Sequence, residues 1–271
     1  MTSPVLRVVD WDAIQQQLAF VNRQALEELL AVYNTVSGFD AHRVRQYLLD
    51  AVPAIVETYG GAASELSLAW WDDLFDGIES PPPVAPPPPP SAQLVAQTRW
   101  ATAPLFAGAS PATRLASVVK QHIYGAQRGV VTASSQQADV RYARVARSNA
   151  CNFCRVIASR GAVYGSADRA RYVGATGMQN HYSDGSARGR REKQGRIRGI
   201  RKAGDTYHDH CRCTVVPSAQ HLDLNLPAYY EKFQQEYDTA VSMLDRANGG
   251  KPGVYSMSAV TAMMRELGYA K

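Results

Sequence analysis

Ser80-Pro-Pro-Pro-Val-Ala-Pro-Pro-Pro-Pro-Pro-Ser91 packs eight of the chain's 15 prolines into twelve positions. Each proline fixes its own φ and lacks an N–H donor, so neither helix nor sheet can form here. The stretch should run as stiff, extended polyproline II. Its composition reads as a spacer between an N-terminal module, residues 1–79, and a second region beginning at residue 92, with a proline-motif docking ligand as the alternative reading.

Upstream, Trp11, Ile14, Leu18, Val21, Ala25, Leu29, Val32 and Val36 recur at steps of three and four, one apolar face of a helix. Ser37 and Gly38 end it, and Asp40 is placed to cap a second helix that carries Val44, Leu48, Val52, Ile55 and Tyr59. Pro53 is expected to kink or restart that helix. A third stretch after Gly60 and Gly61 aligns Ala63, Leu66, Trp70 and Leu74, so residues 10–79 read as a bundle of antiparallel helices.

Downstream, residues 92–106 and 111–137 carry helical periodicity again, the second with Leu115, Val119, His122, Ile123 and Ala126 on one side. Short elements come next: a strand at 140–145, a helical turn or two at 151–159 and a strand at 214–216. Residues 165–204 mix Gly, Ser, Asp and Arg with no apolar period and read as an extended loop. Helices return at 227–248 and 256–267. The expected fold class is therefore mainly α, in the α+β sense: an N-terminal helical bundle, a linker at 80–91, a domain at 92–221 with a small β element, and C-terminal helices at 222–271.

A chain of 271 residues is long enough to bury one large core or two modest ones. No segment approaches the roughly 20 apolar residues of a membrane span, and the first residues, MTSPVLRVVDWD, lack a signal peptide's basic and apolar regions. The expectation is a cytoplasmic setting with no membrane partner. The net charge of +5 is unevenly spread. Residues 141–213 hold 16 Lys and Arg against 5 Asp and Glu, a balance of +11, whereas residues 1–80 hold 4 against 12, a balance of −8. Such a split suggests that one region meets a polyanion and the other a protein or solvent.

The chain's four cysteines form two close pairs. Cys151-Asn-Phe-Cys154 is a C-x2-C knuckle, whose spacing lets two thiolates approach one ion from the same turn. The second half, His208-Asp-His210-Cys211-Arg-Cys213, offers four donors within six positions. Sulfur and imidazole ligation suits zinc, and a reducing compartment favours ligands over disulfides. On an extended backbone Cys211 and Cys213 face one side, which makes a four-cysteine site natural. With a sharp turn at His210, His208 and Cys211 pair instead and Cys213 packs. Buried small hydrophobes or air-formed disulfides are the bland alternative. Asp209 is the only acid in the cluster, and both cysteine pairs together close the shell, so one structural zinc per chain is expected, with no catalytic residues.

The phrases Ala150-Cys-Asn-Phe-Cys-Arg155, Gly161-Ala-Val-Tyr164 and Tyr207-His-Asp-His-Cys-Arg-Cys-Thr-Val-Val-Pro217 resemble the phage Mu F-like minor head proteins, also called phage head morphogenesis proteins. The resemblance covers roughly residues 93–221. It maps Cys151, Cys154, His208, Cys211 and Cys213 onto that family's C-x2-C and H-x2-C-x-C, with His210 at its more variable position. It implies a low-copy component inside the immature head near the portal vertex, assembled in the host cytoplasm. Its implied partners are the portal and other capsid or scaffold proteins, and its implied roles are in head assembly and in genome packaging or ejection.

Phage DNA is the polyanion that such a setting would supply. Arg188, Arg190, Arg191, Lys193, Arg196, Arg198, Arg201 and Lys202 form a run of eight cations suited to phosphate contacts without base specificity; an idle solvated loop is the alternative. No aromatic residues interleave with them, which argues against single-strand stacking. Two other function classes compete. A metal-dependent nuclease of the His-Asn-His type is prompted by His208-Asp-His210, but it needs a general-base histidine beside an open metal. A zinc-containing DNA-binding regulatory module would need a recognition helix after the knuckle, and none is evident.

Overall fold

The computed structural model describes residues 7–159, 212–253 and 255–269. Its described elements are mainly helical, as expected, with a few short strands. The chain divides into two compact units: unit 1 comprises residues 1–140 and 207–224, and unit 2 residues 141–206 and 225–271.

Unit 1 is built on long helices. α1 (Trp11–Val36) starts where the Asp10 side chain accepts the Ala13 N–H at 2.9 Å. α2 (Ala41–Phe75) starts at Asp40, whose carboxylate accepts the N–H groups of His42 and Arg43, each at 3.0 Å. Those bonds, Arg43's first, hold the Asp40 carboxyl below its ordinary pKa. α3 (Ser91–Ala101), a 3-10 turn (Ala103–Ala107) and α4 (Ala112–Gln137) come after the proline run.

The structure corrects two expectations. First, α2 is one helix of 35 residues, where Pro53 was expected to kink or restart it and a separate stretch was expected after Gly60 and Gly61. An interior proline costs about 3 kcal/mol and each glycine about 1 kcal/mol against alanine. The same face nevertheless continues through Leu48, Val52, Ile55, Val56, Ala63 and Trp71, all at most 2% exposed. Burying each large side chain contributes about 1.5–3 kcal/mol, so the long-range term exceeds the local one.

Second, the proline run does not divide one core from another. Leu94, Ala101, Leu115, Val118, Val119, Ile123 and Tyr124 from beyond it share one buried cluster with Ile14, Leu18, Ala25 and Leu29 of α1 and with the inner face of α2. The run itself lies against α4. The Val84 N–H donates to Ser134 Oγ at 2.9 Å, and a Cβ on Gly129 would sit 2.8 Å from Pro86 Cγ, so only glycine admits that approach. Ser80, Pro83, Pro86 and Pro89 are half-buried among mostly exposed neighbours. That spacing of three is one ridge of a polyproline helix, which has three residues per turn.

Unit 1 also holds three short strands. β1 (Arg7–Val8) pairs parallel with β4 (Leu222–Asp223), Arg7 opposite Leu222. β3 (Thr214–Ser218) packs on α4. The strand expected at 214–216 is thus present, whereas β1 and β4 were not anticipated.

Unit 2 carries β2 (Arg141–Val145), α5 (Asn152–Ala158), α6 (Tyr229–Ala247) and α7 (Met257–Glu266), each where the sequence pattern placed it. Among its described residues one apolar cluster joins Val156, Ala240, Val260 and Met264, with Tyr237, Val241 and Leu244 packed on it. Ahead of α7, the Asp245 carboxylate accepts the Gly253 N–H at 2.8 Å and the Tyr255 hydroxyl at 2.7 Å. The second bond raises the Tyr255 phenol to about 12. The loop expected at 165–204 lies outside the described residues.

Candidate metal centre

In unit 2, Cys151 takes an extended backbone conformation (φ −68°, ψ 163°) and caps α5, while Cys154 lies in the first turn. A residue at the cap and one three positions on share a side of the helix. Cys154 is buried, Cys151 is half-buried, and both carry reduced thiols. The knuckle is braced by Arg155, whose guanidinium is turned back along the chain and across to α6. Nε donates to the Ala150 carbonyl at 2.8 Å. NH1 reaches both carboxylate oxygens of Glu236, at 2.8 and 2.7 Å, and the group lies 5.0 Å from the Phe233 ring centroid. Both charged partners are buried. Because Ala150 immediately precedes Cys151, this one side chain closes the loop 150–155 and fixes it to α6.

The start of α6 holds the preceding segment in a similar way. The Tyr230 hydroxyl accepts the Ala146 N–H at 2.7 Å and donates to the Arg144 carbonyl at 3.2 Å, and the Tyr229 hydroxyl donates to the Ala146 carbonyl at 3.0 Å.

In unit 1, Cys213 carries a buried, reduced thiol one residue ahead of β3. This segment is held by side chains of α4, which bond its backbone, and by one of α1, which bonds the Thr214 hydroxyl. Gln127 Nε2 donates to the Val215 carbonyl at 2.7 Å, and the Val215 N–H donates to Gln127 Oε1 at 3.1 Å, so one amide side chain supplies both bonds that a neighbouring strand would. Arg128 NH1 donates to the Cys213 carbonyl at 3.2 Å, and Gln15 Nε2 to Thr214 Oγ1 at 3.2 Å. Gln15, Gln127 and Arg128 are buried polar residues on apolar helix faces. That placement, polar where the period demands apolar, was the sequence signal that could have singled them out.

The surroundings are cationic. Burial, and then nearby Arg212, lower the Lys120 pKa. Burial, and then Arg128, push the His122 imidazole down to about 4, and it shares a 2.6 Å hydrogen bond with the Gln97 amide.

Of the residues expected to bind metal, Cys151, Cys154 and Cys213 are described, while His208, His210 and Cys211 lie outside the described residues. The eight cations from Arg188 to Lys202 lie outside them as well. Among the described residues no three His, Cys, Asp or Glu side chains gather as a metal set. The described donors are three reduced thiols, soft ligands of the kind zinc takes in closed sites, so their chemistry fits that ion. No described helix is long and apolar enough to cross a membrane.

The family profile described as VG15 protein matches residues 6–240. Searches of curated proteins and of solved structures find no significant match.

Proposed function

Because this chain belongs to the VG15 protein family, a phage-associated viral gene family, we propose that it is a minor structural protein of a tailed-phage head. In this reading it sits inside the capsid near the portal and acts in head morphogenesis and in genome packaging or ejection. One observation carries the proposal furthest. The described portions of both cysteine motifs are braced by buried polar side chains, Arg155 with Glu236 and Gln127 with Arg128. Bracing of this kind suits a site that must hold its shape. The described residues that touch the cysteine segments are used as braces of the backbone, which fits a closed structural ion better than a catalytic one.

In the proposed centre Cys151, Cys154, Cys211 and Cys213 hold one zinc, with His208 or His210 as substitute donors. The ion's contribution would be a coordinate cross-link between segments far apart in sequence, and with it folding free energy. Arg155 orients the knuckle and Gln127 holds the strand that begins just after Cys213. The basic segment at 188–202 is proposed to contact phage DNA through its phosphates.

The direct test is mass spectrometry of purified proheads and mature virions from a phage that encodes this chain, together with the phenotype of an amber mutant. The proposal expects the chain in both particles at low copy and aberrant or empty heads without it. Its absence from both particles, with normal heads in the mutant, would overturn the assignment.

A further inference from the structure

The two ends of the helical bundle in unit 1 carry opposite chemistry. Where α1 turns into α2, and where α3 leads through the 3-10 turn to α4, four aromatic side chains stand in solvent: Phe39, Tyr47, Trp100 and Phe106, each 42–51% exposed. Guanidinium groups lie on three of these rings. Arg43 is 4.2 Å from the Phe39 centroid, Arg45 4.0 Å from that of Phe106, and Arg114 5.0 Å from that of Trp100.

At the opposite end, α2 finishes and α1 begins. Exposed Asp10, Asp12, Asp72, Asp73, Asp76 and Glu79 gather there, beside exposed Val8 and Ile78. Arg7 joins these segments by donating to the Asp73 and Asp76 carbonyls. Six of the eight large hydrophobic side chains exposed among the described residues therefore sit at these two ends.

The 26 residues of α1 alone span about 39 Å at 1.5 Å per residue, so no molecule can bring its own two ends together. A second copy can. We infer that unit 1 associates head to tail with another copy of this chain, its arginine-aromatic end seated on the acidic end of the neighbour. Arginine and aromatic side chains are the types that dominate interface energetics, carboxylates are the natural acceptors of a guanidinium fork, and Val8 and Ile78 give the rings an apolar counterface. Such a contact uses each end once. It is heterologous, so it closes into a ring if the rotation between copies permits and otherwise propagates.

Sedimentation velocity of the full-length chain at up to about 100 μM and about 50 mM salt should show concentration-dependent association. The association should weaken at least tenfold by about 500 mM salt, where exposed charges are screened within a few ångströms. Arg43→Ala with Arg114→Ala removes one end, and Asp72→Ala with Glu79→Ala the other. These are exposed positions in or beside helices where alanine is well tolerated, and unchanged thermal melting verifies the fold. Each variant alone is expected to be monomeric. An equimolar mixture of the two retains one intact contact and should give dimers that grow no further.

A wild type that stays monomeric throughout would overturn the inference, as would variants that each associate like the wild type. If association is instead lost only when Arg190, Arg191, Arg196 and Arg198 are changed to Glu, the acidic end is binding the basic segment and the inference fails.

Discussion

Unit 1 and unit 2 each carry half of the cysteine motif, and they hold it by different means. Unit 1 rests on a large apolar cluster from four helices, and its polar clasp, Gln127 on Val215, is an addition to a core that is already closed. Among the described residues of unit 2, polar locks join the apolar contacts: buried Arg155 with Glu236, buried Tyr230 with the backbone at 144 and 146, and half-buried Asp245 with Tyr255. Hydrophobic burial is non-directional and tolerates adjustment. A buried ion pair is not tolerant, since removal of one partner leaves the other charged and desolvated. The knuckle at 151–154 is therefore held in one geometry by groups that each fail abruptly.

The comparison breaks most completely if unit 1 is cut at the proline run. Residues 1–79 expressed alone lack α3 and α4, and with them Leu115, Val118, Val119, Ile123 and Tyr124 of the shared cluster. The fragment should show no cooperative thermal transition by circular dichroism. A sharp, reversible melt would mean that α1 and α2 close a core on their own.

Glu236→Ala leaves the Arg155 cation buried without its carboxylate and should cost about 3–5 kcal/mol in unit 2. Hydrogen exchange at residues 150–159 should accelerate strongly while α1 and the inner face of α2 stay protected. Gln127→Leu keeps an apolar side chain on α4 but strips Val215 of partners for its N–H and C=O. At about 1–3 kcal/mol for each of the two unsatisfied buried groups, roughly 2–6 kcal/mol should be lost. Denaturant titration gives the value, and exchange at residues 214–216 gives the location. Near-wild-type stability in the Glu236 variant would equalise the two units.

A smaller effect concerns pH. His122 is held neutral by burial and by Arg128, with its pKa at about 4 against an ordinary 6.5. Between those values the unfolded chain binds the proton and the folded chain does not, so stability rises with pH across that window. The contribution is complete above about pH 6.5 and is lost as pH falls toward 4, on the order of 3 kcal/mol at most. Thermal melts between pH 4 and 7 should show this slope, and His122→Gln should flatten it.

Much of this architecture was legible because it is periodic. The apolar faces of α1, α4, α6 and α7 repeat at three and four, and the caps Asp40 and Ser256 stand where their helices begin. What escaped was decided at a distance. Pro53 and the pair Gly60 and Gly61 read locally as breaks, and only the neighbouring helices supply the burial that carries α2 through them. The proline run read as a spacer because its composition is local information, while Gly129 and Ser134, which receive it, lie more than forty residues away. Gln127 and Val215 are 88 residues apart, and nothing in either neighbourhood announces the pairing. The cysteine spacing is likewise local information, and the described residues place Cys151 and Cys154 at the start of α5 and Cys213 just ahead of β3.

The central claim is that the paired cysteines hold one structural zinc. Elemental analysis of the full-length protein, purified in reductant and verified as folded, tests it most directly. The account predicts about one zinc per chain, falling with Cys154→Ser together with the fold of unit 2, since structural zinc binding is folding free energy. Less than about 0.2 metal per chain in folded wild-type protein would contradict it.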